Sequence, residues 1–339
     1  MRRSSLLAVV LVLAAAISGC GFLGIGDEPA DISVYSARQY DLEEAFVEFE
    51  KETGMTVDFI YGDDAELFER LKAEGSDSPA DVYMTVDAGN LWNAAQQGEL
   101  ASLDSPVLDK AIPAEYKDPE NRWFGLAMRA RTVAYNPDNL DPSELDTVDT
   151  YADLADPKWK GRLCMRDETE SYTQSLVASL IDLYGRDKTL EIVKGWVDND
   201  VEIMTNDVLL IEAVDTGACD VALVNHYYYA REITDNPDLS VKLFWASQDG
   251  AGTHVNISGA GVVKSSDAPM KAQRLIEWLA STGQNDFVDG NHEYPVNPSV
   301  EPEPLIAGFG DFKPMPVDAQ AYGNLNAQAA DLLAEAGYK

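Results

Sequence analysis

Strand-like and helix-like segments alternate along the first part of this chain, and this alternation limits the possible folds more than any other feature. Residues 31–36 have the pattern of a buried strand. After them Leu42, Ala45, Phe46 and Phe49 recur at the spacing of one helix face. The pattern repeats as strand 56–61, helix 65–74, strand 81–86 and helix 90–97. It predicts an α/β protein with helices on both faces of a parallel sheet.

A second α/β unit is predicted from residue 151 to about residue 244, with helices at 173–184, 188–198 and 207–216. Two extended stretches connect the units: residues 123–135 read as a pair of extended segments, and residues 250–264 mirror that crossing. A helix over 271–281 and a C-terminal helix over 324–337 follow. We therefore expect two lobes joined by a two-strand hinge, with a cleft between them.

Three consecutive tyrosines, Tyr227, Tyr228 and Tyr229, directly follow the apolar run 220–225. Three phenols at the carboxyl end of a strand pack poorly in a core, because each buried hydroxyl needs a partner. Adjacent residues cannot both face the core, so at least one of Tyr227 and Tyr228 should reach a cleft, and Tyr229 should pack inside. Tyrosines thus placed are typical of ligand contacts.

Tyr40 and Tyr172 occupy similar positions, each between a predicted strand and a predicted helix. Open α/β sheets bind ligands beyond the carboxyl ends of their strands, so these tyrosines are candidates for the same cleft as Tyr227 and Tyr228. As an alternative, Tyr40 and Tyr172 are aromatic residues that cover the core at a helix start.

The amino terminus carries Arg2 and Arg3, then twelve apolar residues, then Ser18, Gly19 and Cys20. A charged start, a short apolar run and small residues before a cysteine resemble a lipoprotein signal peptide over residues 1–19. Cys20 would then carry the lipid, residues 20–30 would form a tether, and the protein would be extracytoplasmic, in a periplasm or on the outer face of the plasma membrane. The alternative is an ordinary secreted protein with an incidental cysteine.

The chain is strongly acidic, with a formal net charge of −34. Removing the signal peptide brings this to about −36. Such a charge argues against nucleic acid or anionic lipid as a partner, so we expect membrane association through the lipid anchor only. It is typical of a salt-adapted host; the alternative is that the field gathers cations for the cleft.

Cys164 and Cys219 flank two strands that should be neighbours. Export permits disulfide formation, so we expect a bridge between them. Two buried thiols or a metal pair are the alternatives, although a thiolate site needs more Cys or His nearby than this chain supplies.

Several short strings, in order and at consistent spacing, resemble the iron(III) substrate-binding proteins of ABC importers, and most closely the cyanobacterial-type ferric-binding branch of the class II periplasmic binding proteins. They include Tyr35-Ser-Ala-Arg-Gln-Tyr40, Ser78-Pro-Ala-Asp-Val82, Leu154-Ala-Asp-Pro-Lys-Trp-Lys-Gly161, Tyr172-Thr-Gln-Ser-Leu-Val-Ala-Ser179 and Gly252-Thr-His-Val-Asn-Ile-Ser-Gly259. The match runs from about residue 31 to residue 339.

The resemblance implies a class II two-lobe fold, with an N-lobe of residues 31–128 and 255–300 and a C-lobe of residues 129–254 and 301–339. It also implies that Fe(III) is the transported ligand. Its ligands would be Tyr40 from one lobe and Tyr172, Tyr227 and Tyr228 from the other. The implied partners are an ABC permease and its ATPase, and the protein is expected to be a monomer.

Four phenolates exceed the three charges of Fe(III), so a nearby guanidinium is expected to offset the surplus. Of Arg38, Arg129, Arg131 and Arg231, we favour Arg131 and Arg231; salt bridges at the surface or between lobes are their alternative role.

In the relatives, a histidine often precedes the first tyrosine as a further ligand, but this chain has Gln39 there. The fifth donor is therefore open between water, an arginine-linked site and a bound anion. His226, His254 and His292 have no metal-ligand spacing, and we expect His254 and His292 to be structural.

An enzyme is disfavoured, because the sequence contains no Gly-x-Ser-x-Gly, zinc motif or phosphate loop. A second binding hypothesis remains, in which the tyrosines form the walls of a cleft for an organic or anionic solute.

Overall fold

The computed structural model describes residues 29–38, 43–316 and 318–339. The predicted signal peptide, most of the tether, and Cys20, Gln39 and Tyr40 lie outside these residues. Within the described part of the chain, no helix is both long and apolar enough to cross a membrane.

Helices and strands alternate as predicted. The strands are β1 Ile32–Ser36, β2 Val57–Tyr61, β3 Val82–Thr85, β4 Phe124–Tyr135, β5 Leu163–Arg166, β6 Glu202–Met204, β7 Val221–Asn225, β8 Lys242–Phe244, β9 His254–Val262 and β10 Tyr294–Pro295. The helices are α1 Glu43–Thr53, α2 Asp64–Glu74, α3 Ala88–Gln96, α4 Pro106–Ala111, α5 Thr150–Asp153, α6 Ser171–Tyr184, α7 Arg186–Asp198, α8 Asp207–Asp215, α9 His226–Asp235, α10 Pro269–Leu279, α11 Gln284–Asp289, α12 Pro304–Ala307 and α13 Ala319–Ala336.

The described strands form one sheet in the order β2-β1-β3-β9-β4-β7-β5-β6, and β8 and β10 also pair with β4. At one end β1 runs parallel to β2 and β3, and at the other end β5 runs parallel to β6 and β7. The two long central strands, β4 and β9, are antiparallel to each other. Two parallel α/β units joined by two central strands are the predicted architecture.

β4 differs from its prediction, because residues 124–135 form one continuous strand rather than a pair of extended segments. Its first part pairs with β9, with a register shift between Gly125 and Ala127, and its last part pairs with β7. Close approach within this crossing requires glycine: a Cβ on Gly259 would lie 2.4 Å from the carbonyl oxygen of Phe124. The predicted lobe borders fall within β4 and at the start of β9.

Alternate residues of the buried strands face opposite layers of helices. In the first lobe Val34 packs with Phe46 and Phe49 of α1, whereas Tyr35 faces the opposite layer with Leu67 of α2. In the second lobe β5 and β7 divide in the same way between α6 and α7 on one face and α8 and α9 on the other. The C-terminal helix α13 packs against α3 of the first lobe and against α6 and α7 of the second.

Candidate functional site

Tyr172, Tyr227 and Tyr228 meet at one edge of the second lobe. β5 and β7 are parallel, so the helices that follow them, α6 and α9, both begin at the same edge of the sheet. Tyr172 lies in the first turn of α6, and Tyr227 and Tyr228 lie in the first turn of α9. The Tyr227 hydroxyl donates a hydrogen bond to the Tyr172 hydroxyl at 3.3 Å, and the rings of Tyr227 and Tyr228 are 4.4 Å apart.

Tyr229 faces the interior, the role predicted for the third tyrosine of the run. Its hydroxyl donates to the carbonyl of Val241 at 2.9 Å, and its ring lies 5.4 Å from that of Phe309. The side chain is buried in the cluster that α8 and α9 form against the sheet. A helix turns about 100° per residue, so Tyr229 projects about 200° around the helix axis from Tyr227.

Cationic side chains lie over the tyrosine rings. The guanidinium of Arg231 is 5.4 Å from the ring centroid of Tyr227 and 5.7 Å from that of Tyr228. That of Arg129, on the central strand β4, is 5.2 Å from the ring of Tyr172. Arg231, one of the two favoured arginines, therefore contacts the rings of Tyr227 and Tyr228, and Arg129, considered but not favoured, contacts the ring of Tyr172.

Arg131 reaches the tyrosines through an intermediate. Its Nη1 lies 3.3 Å from Oδ1 of Asn225, and the amide of Asn225 donates to the Tyr227 hydroxyl at 3.3 Å. Arg131 also pairs with the fully buried carboxylate of Asp207 at 3.4 Å. Its indirect contact suits orientation of Tyr227 more than direct charge compensation.

Sequence reasoning missed the network around Asp207. This carboxylate accepts the backbone N–H of Asn225 at 2.7 Å and pairs with Arg166 at 3.0 Å. In the sequence, Asn206 and Asp207 read only as a helix start, and Asn206 does cap α8 by accepting from the N–H of Leu209. The local signal shows a cap, but Arg166, 41 residues earlier, is brought to Asp207 only by strand pairing.

Arg38, the remaining arginine candidate, is buried in the first lobe. It pairs with Glu293 and donates to the carbonyl of Phe287 at 3.0 Å. Its guanidinium also lies 4.1 Å from the Phe287 ring.

The histidines make contacts typical of structural residues. His226 accepts the backbone N–H of Ala130 at 3.1 Å, and burial lowers its pKa to about 3. His254 lies 3.3 Å from the hydroxyls of Ser175 and Ser179; burial, with a smaller effect of nearby arginines, lowers its pKa to about 3. Both rings are therefore neutral near pH 7. His292 contacts the carboxylate of Glu303.

A cleft of about 460 Å³ opens beside Tyr172, between the lobes. Its lining residues are Ala37, Asp63, Asp64, Ala65, Val86 and Asn90 from the first lobe, Thr169, Glu170, Ser171, Tyr172 and Gln174 from the second, and Asn326 of α13. Asp63, Asp64 and Glu170 make it acidic, and burial raises the pKa of Asp64 to about 6. An acidic lining favours a cation over an anion.

Cys164 of β5 and Cys219, just before β7, form a disulfide in the structure, with their Cα atoms 6.0 Å apart. Because β5 and β7 are paired neighbours, this bond links the two strands whose ends lead to the tyrosines.

Comparisons with known proteins agree on one class. A family model for bacterial extracellular solute-binding proteins matches residues 44–312. Iron uptake protein A1 of Synechocystis is 39% identical over 97% of this chain and 95% of its own length, and the Fe(3+)-binding periplasmic protein of Serratia marcescens is 30% identical over 99% of both. The Trichodesmium protein solved in complex with iron and citrate ligands has a TM-score of 0.84 and 42% identity, covering 91% of this chain and 99% of that one.

Proposed function

This chain belongs to the family of bacterial extracellular solute-binding proteins, and we propose that the solute it captures is ferric iron, held by tyrosine phenolates. The observation that carries the proposal is the convergence of Tyr172, Tyr227 and Tyr228 at the starts of two helices. The names of its relatives, which include iron-uptake and Fe(3+)-binding proteins, support the same ligand.

Ferric ion is a hard cation that prefers anionic oxygen donors. A free phenol has a pKa of about 10, but a bound cation displaces its proton much as metals acidify water. Arg231 and Arg129, which lie over the tyrosine rings, would offset the surplus negative charge of the phenolates.

We infer that Tyr40 supplies a fourth phenolate from the first lobe, so that closure of the lobes completes the coordination shell. Gln39 takes the position at which the relatives often have a histidine, and the fifth donor is then water, an arginine-linked site or a bound anion. The second binding hypothesis was an organic or anionic solute, and the acidic lining of the cleft, with Asp63, Asp64 and Glu170, disfavours an anionic one.

The protein would act outside the cytoplasm, anchored through lipid on Cys20, and deliver iron as a monomer to an ABC permease and its ATPase. Mass spectrometry of the mature amino terminus tests the anchor. A diacylglycerol-modified Cys20 is expected, and an unmodified residue elsewhere as the first residue would contradict it.

Titration of the apo-protein with Fe(III) tests the function. Tyrosinate-to-iron charge transfer should produce a visible band that saturates at one iron per chain, and melting should rise with it. Ga(III), which has the same charge but no such transition, should raise the melting temperature without colour. Absence of both the band and the melting shift would remove the proposal, and a shift with organic anions instead would favour the second binding hypothesis.

A further inference from the structure

Arg166 is the last residue of β5 and lies between the two helices that carry the tyrosines. Its Nη1 donates to Oδ2 of Asp207 at 3.0 Å, and its Nη2 pairs with Glu170. Its backbone carbonyl accepts from the Tyr338 hydroxyl at 2.6 Å. The side chain is 5% exposed, so the guanidinium is held at several points in a buried position.

Each partner of Arg166 leads to a tyrosine. Glu170 directly precedes Ser171, the first residue of α6, which carries Tyr172. Asp207 accepts the N–H of Asn225, the last residue of β7, whose amide donates to the Tyr227 hydroxyl. Arg166 thus contacts both tyrosine-bearing helices through one or two intermediates.

The charges of this network are shared among several groups. Arg131 and Arg166 both pair with the fully buried Asp207, and Arg166 also pairs with Glu170 and lies 3.9 Å from Asp167, which are one-third and one-fifth exposed. Loss of Arg166 would therefore leave Asp207 with one of its two cationic partners and would release the residues next to both helix starts.

Tyr228 adds to the electrostatic surroundings of Arg166. Burial alone would lower the pKa of Arg166, but Asp207, Glu170 and, to a smaller extent, Tyr228 favour its charged form, and its pKa is raised. Tyr228 packs against the same cluster as Met204, which pairs in register with Arg166 across β5 and β6.

We propose that Arg166 is a positioning residue of the iron site, which fixes the starts of α6 and α9, and with them Tyr172 and Tyr227, relative to each other. This inference rests on the proposed function. It assigns to Arg166 a role in the ferric state that a purely structural salt bridge would not have.

The experiment compares the parent with Arg166→Met, Arg166→Lys and Arg162→Met. Arg162, which starts the same segment and pairs with Asp220 and Glu144 away from the tyrosines, is the matched control. Circular dichroism and melting of the apo-proteins report folding. The Fe(III) Kd, measured by chelator competition, and the wavelength of the charge-transfer band report the site.

Arg166→Met should bind Fe(III) at least about tenfold more weakly, because loss of a residue that supports a metal ligand typically lowers the affinity about 10–100-fold. Its charge-transfer band should also shift, because Tyr172 and Tyr227 would no longer be held in the same arrangement around the iron. Arg166→Lys should recover part of both effects, and Arg162→Met should match the parent. If Arg166→Met does not fold, Arg166→Gln, whose amide can still donate to Asp207, takes its place with the same expectation.

If Arg166→Met, or Arg166→Gln in its place, folds and keeps the parent's charge-transfer band and Fe(III) affinity, the inference is overturned. A lower melting temperature with an unchanged band would do the same, since it would reduce Arg166 to a structural role. If the parent binds iron without a charge-transfer band, the proposed function and this inference are both wrong. If the parent shows the band and the variant shows the same band, only this inference is wrong.

Discussion

The tyrosine run offers the sharpest test of the site, because two of its residues, Tyr227 and Tyr229, are both buried but bond to different partners. The Tyr227 hydroxyl contacts Tyr172 and Asn225 at the lobe edge, whereas the Tyr229 hydroxyl is bonded to the Val241 carbonyl inside the lobe. Replacing either by phenylalanine removes one oxygen and keeps nearly the same volume. The two variants should therefore lose different properties.

Tyr227→Phe should lower Fe(III) affinity by at least about 100-fold, or about 2.7 kcal/mol, since residues that merely support a metal ligand already contribute about 10–100-fold. Tyr172→Phe, Tyr228→Phe and Tyr40→Phe should behave alike. Tyr229→Phe should leave iron binding unchanged but lower the free energy of unfolding by about 1 kcal/mol, because the buried Val241 carbonyl loses its donor.

The assay is an iron titration of the five variants, following the visible band, with urea unfolding of each apo-protein. Binding should weaken at lower pH, because coordinating phenols must release protons. If Tyr229→Phe abolished the band while Tyr227→Phe retained it, the assignment of the run would be wrong. If all five variants bound iron like the parent, ferric-tyrosinate coordination itself would be refuted.

Three further predictions follow from the fold. Cys164 and Cys219, 55 residues apart, should stabilise the second lobe by about 4 kcal/mol when bridged; two thiols that react in the unfolded, unreduced protein would contradict the bridge. Iron should close the lobes, so the radius of gyration from small-angle scattering should fall as melting rises, and constancy of both would argue against closure. His254 has a folded pKa of about 3, below the usual 6.5, so the unfolded chain takes up the proton first. Its contribution is complete above pH 6.5 and is lost as pH falls toward 3, by about 2 kcal/mol at pH 5. Urea unfolding across this range should show a shallower pH dependence for His254→Gln than for the parent, and equal slopes would refute the assignment.

Local patterns predicted most helices and strands to within a few residues, because burial on one face leaves a periodic signal. The helix with Tyr172 was predicted over 173–184 and begins at Ser171. The C-terminal helix, predicted from residue 324, begins at Ala319, because Asp318 caps it by accepting the N–H of Ala321 at 3.0 Å. Its first turns carry weaker apolar periodicity, so the sequence pattern predicts a later helix start.

Long-range pairing was not predictable in the same way. The sequence pattern predicts two segments where the structure has the single strand β4. The strands that pair with β4 change along its length, from β9 to β7, and no local pattern indicates that change. The Asp207 network was missed for the same reason, since Arg166 and Arg131 reach it from two other strands. The tyrosines were found because their chemistry is unusual for a strand end, whatever their distant neighbours.

The order of β4 and β9 in the chain bears on how the protein is made. Neither lobe is a contiguous segment: the sheet of the first lobe lacks β9 until residue 262 has been synthesised, and α13, which covers both lobes, comes last. An emerging chain therefore cannot complete one lobe and then the other. The contacts that complete the two lobes therefore become available only after residue 262, and those of α13 only with the last residues of the chain.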